Sequence, residues 1–188
     1  MEEQDQGPAN DLERRIIEAF EIFDHAQNKN IDVREVGAVI RSLGCCPTEA
    51  QLQEVLMEVE DPDTGSVSLD KFLPYMVNVI TEYQMQPASA EALLKAFQVM
   101  DPERKGFVSK EVLMRNMLEL GEPFSQDELD EMLTVAVDPE TGTVPYEYYI
   151  NQIMVKVKPN IYSLIPVKKL IKRRKLGGSL LALAEQTS

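Results

Sequence analysis

Apolar positions recur along this chain at intervals of three and four residues, the spacing that lines one face of an α-helix. Leu12, Ile16, Ala19, Phe20 and Phe23 form the first such face, with Asn10 and Glu13 placed as a cap pair. Val36, Val39, Ile40 and Leu43 form the second, opened by the capping-box sequence Asp32-Val33-Arg34-Glu35 and stopped by Gly44. Thr48 and Gln51 open a helix carrying Leu52, Val55, Leu56 and Val59, and Ser125 and Glu128 open one carrying Leu129, Met132, Leu133 and Ala136. Further stripes run Leu69/Phe72/Leu73/Met76/Ile80, Leu93/Leu94/Phe97/Met100, Leu113/Met117/Leu120 and Tyr149/Ile150/Ile153. The pattern predicts eight helices paired around four polar loops. Pro87, within the polar stretch EYQMQPASA, is the joint between the halves.

The halves repeat one another. Asp24 and Asp101 stand 77 residues apart, as do Glu60 and Val137, and Leu43-Gly44 and Leu120-Gly121. Within each half the two loop starts are 36 residues apart. Four related units in two halves is the economical account of that spacing.

Charge changes the picture at one place. Residues 1–155 hold 31 acidic and 11 basic side chains, whereas residues 156–188 hold eight basic and one acidic. Such a sign change marks a compact body with an interaction tail. The net charge of −13 argues against a surface built to grip nucleic acid, and 44% hydrophobic residues argue against an acidic disordered chain. No apolar run approaches the ~18 residues of a membrane span. The polar start MEEQDQGPAND shows no secretory signal, and adjacent Cys45 and Cys46 suit free thiols in a reducing compartment. The expectation is a soluble intracellular protein with neither nucleic acid nor membrane as partner.

The loops carry the candidate chemistry. Helix, twelve-residue loop, helix is the calcium-binding arrangement in which oxygens at loop positions 1, 3, 5, 9 and 12 and a carbonyl at 7 surround the ion. Glycine at position 6 makes the turn, and an apolar residue at position 8 pairs with the partner loop; here position 8 is Ile31, Val67, Val108 or Val144. Residues 11–155 thus resemble the calmodulin superfamily of EF-hand proteins. Within it, FEIFDHAQNKNIDVREVGAVIRSLGCCPTE, KFLPYM, GEPFSQDELDEML and DPETGTVPYEYY resemble the EF-hand subunit family of the nexin–dynein regulatory complex of motile cilia and flagella.

The resemblance, which covers residues 11–155, implies an all-α, calmodulin-like fold with one EF-hand pair over 11–84 and a second over 91–155; the residues themselves add a disordered 1–10, a linker at 85–90 and a basic extension over 156–188. It also implies a non-enzymatic adaptor that clasps amphipathic helices of other complex subunits, in the axoneme of the cytoskeleton. The alternative is a calcium sensor switching through its first loop.

Every loop departs from the calcium pattern. The first keeps the candidate ligands Asp24, Asn28, Asn30 (by its carbonyl), Asp32 and Glu35, but has Ala26 at position 3 and Lys29 at position 6. The others lack a carboxylate at position 12, where Lys71, Val112 and Tyr148 stand. No cofactor is expected to be required, and weak calcium in the first loop is the one candidate. Lys71 and Lys105 sit where an ammonium could stand in for part of the ion's charge.

Asp63-Thr64-Gly65-Ser66 spells a protease-like DTGS, echoed by Glu140-Thr141-Gly142-Thr143. A protease dyad needs two Asp sharing a proton, and the second position is Glu, so turn chemistry explains both. His25 is the one histidine, which leaves no imidazole pair for catalysis or zinc. Met76, Met117 and Met132 are the candidate groove positions for a partner helix, with core packing as the competing explanation. In the tail, Lys168, Lys169, Lys172, Arg173, Arg174 and Lys175 form a basic arm suited to an acidic axonemal or tubulin surface, with a nuclear localisation signal or a solvated end as competitors. The tail is expected to leave the stability of residues 11–155 unchanged.

Overall fold

A computed structural model describes residues 10–154 and 160–166. The chain divides into two units, Met1–Pro87 with Val157–Ser188, and Ala88–Lys156. Both are mostly helical, and among the described residues no helix is long and apolar enough to cross a membrane.

The first unit begins with α1 (Asp11–Glu21), whose N-terminus is closed by the Glu13 amide donating to Asn10 Oδ1 at 3.1 Å. After a polar loop come strand β1 (Asn30–Asp32), a 3-10 turn (Val33–Glu35) and α2 (Val36–Ser42). Asp32 therefore opens a 3-10 turn rather than α2 directly, because its side chain caps the Arg34 amide. Helix α3 (Glu49–Val59) starts in the expected reciprocal box between Thr48 and Gln51. Strands β2 (Glu60–Asp61) and β3 (Ser66–Ser68) lead into α4 (Leu69–Thr81). The strands form one antiparallel sheet in the order β1-β3-β2, with Ile31 opposite Val67.

Leu12, Ile16 and Phe20 of α1 are fully buried against Phe72, Met76 and Ile80 of α4, and the Phe20 and Phe72 rings lie 5.3 Å apart. Each such side chain contributes roughly 1.5–3 kcal/mol when fully buried. Gly44 ends the α2 region at φ +85°, the left-handed conformation that glycine adopts without a Cβ clash.

The second unit contains α5 (Ala90–Met100), β4 (Val108–Ser109), α6 (Lys110–Glu119), α7 (Gln126–Ala136), β5 (Thr143–Val144) and α8 (Tyr146–Ile153). Its two strands are antiparallel, with Val108 opposite Val144, and α7 opens in the Ser125–Glu128 capping box. The position-8 pairing is thus present in both units. Phe97 stacks on Tyr146 at 5.5 Å and meets the edge of Tyr149 at 6.2 Å.

The tail departs from expectation. Residues Ile161–Leu164 form a 3-10 turn that packs against α1 and α4 of the first unit. Ile161, Tyr162 and Ile165 are buried in that unit's core, and Leu164 packs partly against it. The described part of the tail is therefore a structural element of the first unit, and its removal is expected to lower that unit's stability. Four apolar residues in five positions, Ile161, Tyr162, Leu164 and Ile165 around Ser163, were the sequence signal for it.

Candidate functional site

In the first loop the candidate ligands are held by their own chain. The Asp24 carboxylate accepts the Asn28 amide at 3.1 Å and the Lys29 amide at 2.8 Å, and Lys29 takes the expected left-handed conformation at φ +60°. The Asn28 side chain accepts from the Asn30 amide, and the Asn30 side chain donates back to the Asn28 carbonyl. Asp32 forms a two-point bond with Arg34, 2.8 Å from Nε and 2.7 Å from Nη2. That guanidinium, with the Arg34 amide behind it, holds the Asp32 carboxyl well below the usual carboxylate range. Glu35 Oε1 lies 3.5 Å from His25 Nε2. Among the described residues no group of three or more His, Cys, Asp and Glu side chains is arranged to hold a metal ion.

The second and fourth loops fold on a shared turn. Asp61 and Asp138 accept the amides two residues on, from Asp63 and Glu140. Gly65 and Gly142 follow at φ +62° and +67°, and their amides return to the Asp61 and Asp138 carbonyls. Thr64 bonds Ser66, and Thr141 bonds Thr143. In the second loop this draws Glu60 and Asp61 into a hairpin with Val67 and Ser66. Lys71 Nζ donates to the Glu60 carbonyl at 3.3 Å, linking the last loop position to the first. In the third loop Lys105 pairs with Glu103 at 2.8 Å.

The third loop has a partner that sequence reasoning missed. Asp101 Oδ2 accepts the Gly106 amide at 2.9 Å and the Tyr146 hydroxyl at 3.0 Å, in a buried setting. Burial alone would raise the Asp101 carboxyl, but the Lys105 and Gly106 amides and the Tyr146 hydroxyl together hold it below its ordinary value. Burial, then the bond to Asp101, pushes the Tyr146 hydroxyl up.

The groove methionines separate. Met76, on α4, is fully buried in the first unit's core with Leu12, Ile16 and Phe20 of α1 and lines no surface, so its place as a groove residue is corrected. Met132 lines a cleft of about 320 Å³ with Val135, Tyr149, Ile153, Glu128 and Glu131. Met117, on α6, is half-buried against the same apolar cluster but is not a wall of that cleft. Val135 is 55% exposed and Ile153 40%, so the cleft opens an apolar floor to solvent, with Glu128 and Glu131 on its α7 side. Lys168, Lys169, Lys172, Arg173, Arg174 and Lys175 lie outside the described residues.

The docked tail segment is anchored through Tyr162. The Tyr162 hydroxyl donates to the Gln84 carbonyl at 2.7 Å and lies 3.4 Å from Cys45 Sγ, while its ring stacks on Tyr83 at 6.0 Å. Asn160 caps the turn through the Tyr162 amide. An apolar anchor gains about 1.5–3 kcal/mol on burial, and ordering backbone costs ~1–2 kcal/mol per residue. A seven-residue segment with four apolar side chains therefore docks with little free energy to spare.

Comparison with known proteins gives the lineage. No protein-family model matches the sequence. Dynein regulatory complex protein 8 of Mus musculus is 47% identical over 146 residues, spanning 77% of this chain and 89% of that protein. The Homo sapiens protein of the same name is 44% identical over 110 residues, 58% of this chain and 41% of its own length. Among solved structures, the Physarum polycephalum myosin II regulatory domain superposes with a TM-score of 0.59 at 25% identity, covering 76% of this chain and 94% of that one. Mlc1p bound to IQ2 of Myo2p, a class V myosin, superposes with a TM-score of 0.57 at 28% identity, covering 73% and 96%. The helical arrangement is shared with these structures, and the identity spread over nearly the whole Mus musculus protein decides the kinship: this chain belongs to the Dynein regulatory complex protein 8 family.

Proposed function

We propose that this chain is a non-enzymatic, calmodulin-like adaptor subunit of the dynein regulatory complex in the axoneme of cilia and flagella, where it helps regulate dynein-driven microtubule sliding. The observation that carries the proposal is the 47% identity to a protein of that complex over 89% of its length. The four loops are four degenerate EF-hand units in two pairs, with a basic extension beyond them. The partner is an amphipathic helix of another subunit. Met132, Val135, Tyr149 and Ile153 offer it an apolar floor, and Glu128 and Glu131 on α7 favour basic side chains along that side. The solved structure of Mlc1p bound to IQ2 of Myo2p, a class V myosin, supports the analogy, since that chain has a related fold.

Clasping is proposed to be constitutive. In the first loop, Asp24 is engaged by loop amides and Asp32 by Arg34, so calcium would have to displace an existing guanidinium to gain that oxygen. Calorimetry at physiological magnesium is expected to find no calcium site tighter than ~10 µM, the weak end of the sensor range. A submicromolar site accompanied by helix opening would establish the sensor alternative instead.

A further inference from the structure

We propose that residues 160–166 are a ligand built into the chain, seated against α1 and α4 of the first unit and holding that unit closed, so that helix binding falls to the second unit. The occupant of the first unit's face is the chain's own segment Asn160–Pro166. Ile161 is 2% exposed, Tyr162 7% and Ile165 5%, so the three anchors are covered as completely as core residues. The segment shapes itself: the Asn160 side chain accepts the Tyr162 amide at 3.0 Å, and its carbonyl accepts the Ser163 amide at 2.9 Å. It carries no charge, which separates it chemically from the basic run that follows.

The position of the segment explains why it would hold the unit shut. Besides α1 and α4, it reaches the α2–α3 connection through Cys45 and the end of α4 through Gln84. Those two stretches are themselves joined, since the Cys46 amide donates to the Met85 carbonyl at 2.8 Å. Opening a helix-loop-helix pair swings its helices apart. A segment fastened at once to the first helix, the last helix and the central connection resists that movement. Exposed apolar side chains follow the same division. Among the described residues the first unit exposes Ile22, Met57 and Tyr83, whereas the second exposes nine large apolar side chains, Val99, Val135 and Ile153 among them. The consequence for partner binding rests on the helix-clasping proposal; the docking of the segment does not.

Cys45 reports on the docking. It is 1% exposed beneath the Tyr162 hydroxyl, and Cys46, the other cysteine, is exposed. In the full chain carrying Cys46→Ser, the reaction of Cys45 with a chromogenic disulfide is expected to be slow. Adding Ile161→Asp and Ile165→Asp should accelerate it by at least about tenfold, as charge expels the segment. A synthetic peptide of residues 157–167 should then restore the slow rate saturably, and the same peptide with both Asp substitutions should not. Equal Cys45 rates with and without the Asp substitutions would overturn the proposal. Loss of helical circular dichroism that the peptide fails to restore would also overturn it, because residues 160–166 would then be integral core. A basic amphipathic helical peptide titrated into both chains tests the other premise. One site in the parent and a second in the Asp variant are expected. No binding to either chain would remove the clasping proposal and leave the thiol rates to decide the docking.

Discussion

Asp101 is buried to 4% exposure, and a carboxylate in that position must be satisfied by donors or give up its charge. The loop supplies the Gly106 amide and α8 supplies the Tyr146 hydroxyl, across 45 residues of sequence. A folded carboxyl held below its ordinary value contributes stability that is present above about pH 3.9 and is lost as pH falls through the folded value. Tyr146→Phe keeps the ring against Phe97 but removes the donor. The Asp101 carboxyl should then titrate at higher pH, and acid should loosen the second unit sooner. NMR titration of the Asp101 carboxyl in both chains checks this, and an unmoved titration would show that the amides alone hold the charge. The loop positions of Asp101 and Lys105 were legible from spacing. Tyr146 was not, because the equivalent position 77 residues earlier is Leu69, which has no hydroxyl, and the repeat therefore gave no warning.

Helices were the legible elements, because their signals are local. The caps at Asn10, Thr48 and Ser125 lie within three residues of the amides they satisfy, and the turns at Asp61 and Asp138 within two. Which apolar face of a helix stays uncovered is a tertiary property that periodicity does not carry. Met76 and Met132 each fall on an apolar stripe, yet one lies under α1 and the other opens on a cleft. Substitution separates the two roles. Met132→Asp should weaken partner-helix binding at least about tenfold while leaving circular dichroism nearly unchanged, since charge is unfavourable in an apolar cleft. Met76→Ala should instead cost ~2–5 kcal/mol of stability, measured by denaturant unfolding, through the cavity it leaves. An unfolded Met132→Asp variant would mean that Met132 is core as well.

At the scale of the whole chain, the tail has two parts with opposite chemistry. Residues 160–166 are uncharged and docked by apolar contact, whereas the six cations from Lys168 to Lys175 follow them directly. The sequence showed the charge boundary clearly. It hid the docking, because the partners of Tyr162 are Gln84, 78 residues away, and Cys45, 117 away. The two parts should fail differently when removed. Ending the chain at residue 166 takes away cations that an acidic axonemal surface would attract, and such attraction fades as the Debye length falls from ~10 Å at 0.1 M salt to ~3 Å at 1 M. Axonemal retention should therefore drop at low salt and lose its salt dependence, with the melting temperature unchanged. Ending the chain at residue 156 should do the same and also lower the first unit's melting temperature. A loss of 1 kcal/mol moves Tm by ~4–8 °C in a domain of about this size, so the difference is measurable. Equal retention of all three chains across a salt series would refute the basic arm. Equal melting of the chains ending at 156 and 166 would refute a stabilising role for the docked segment.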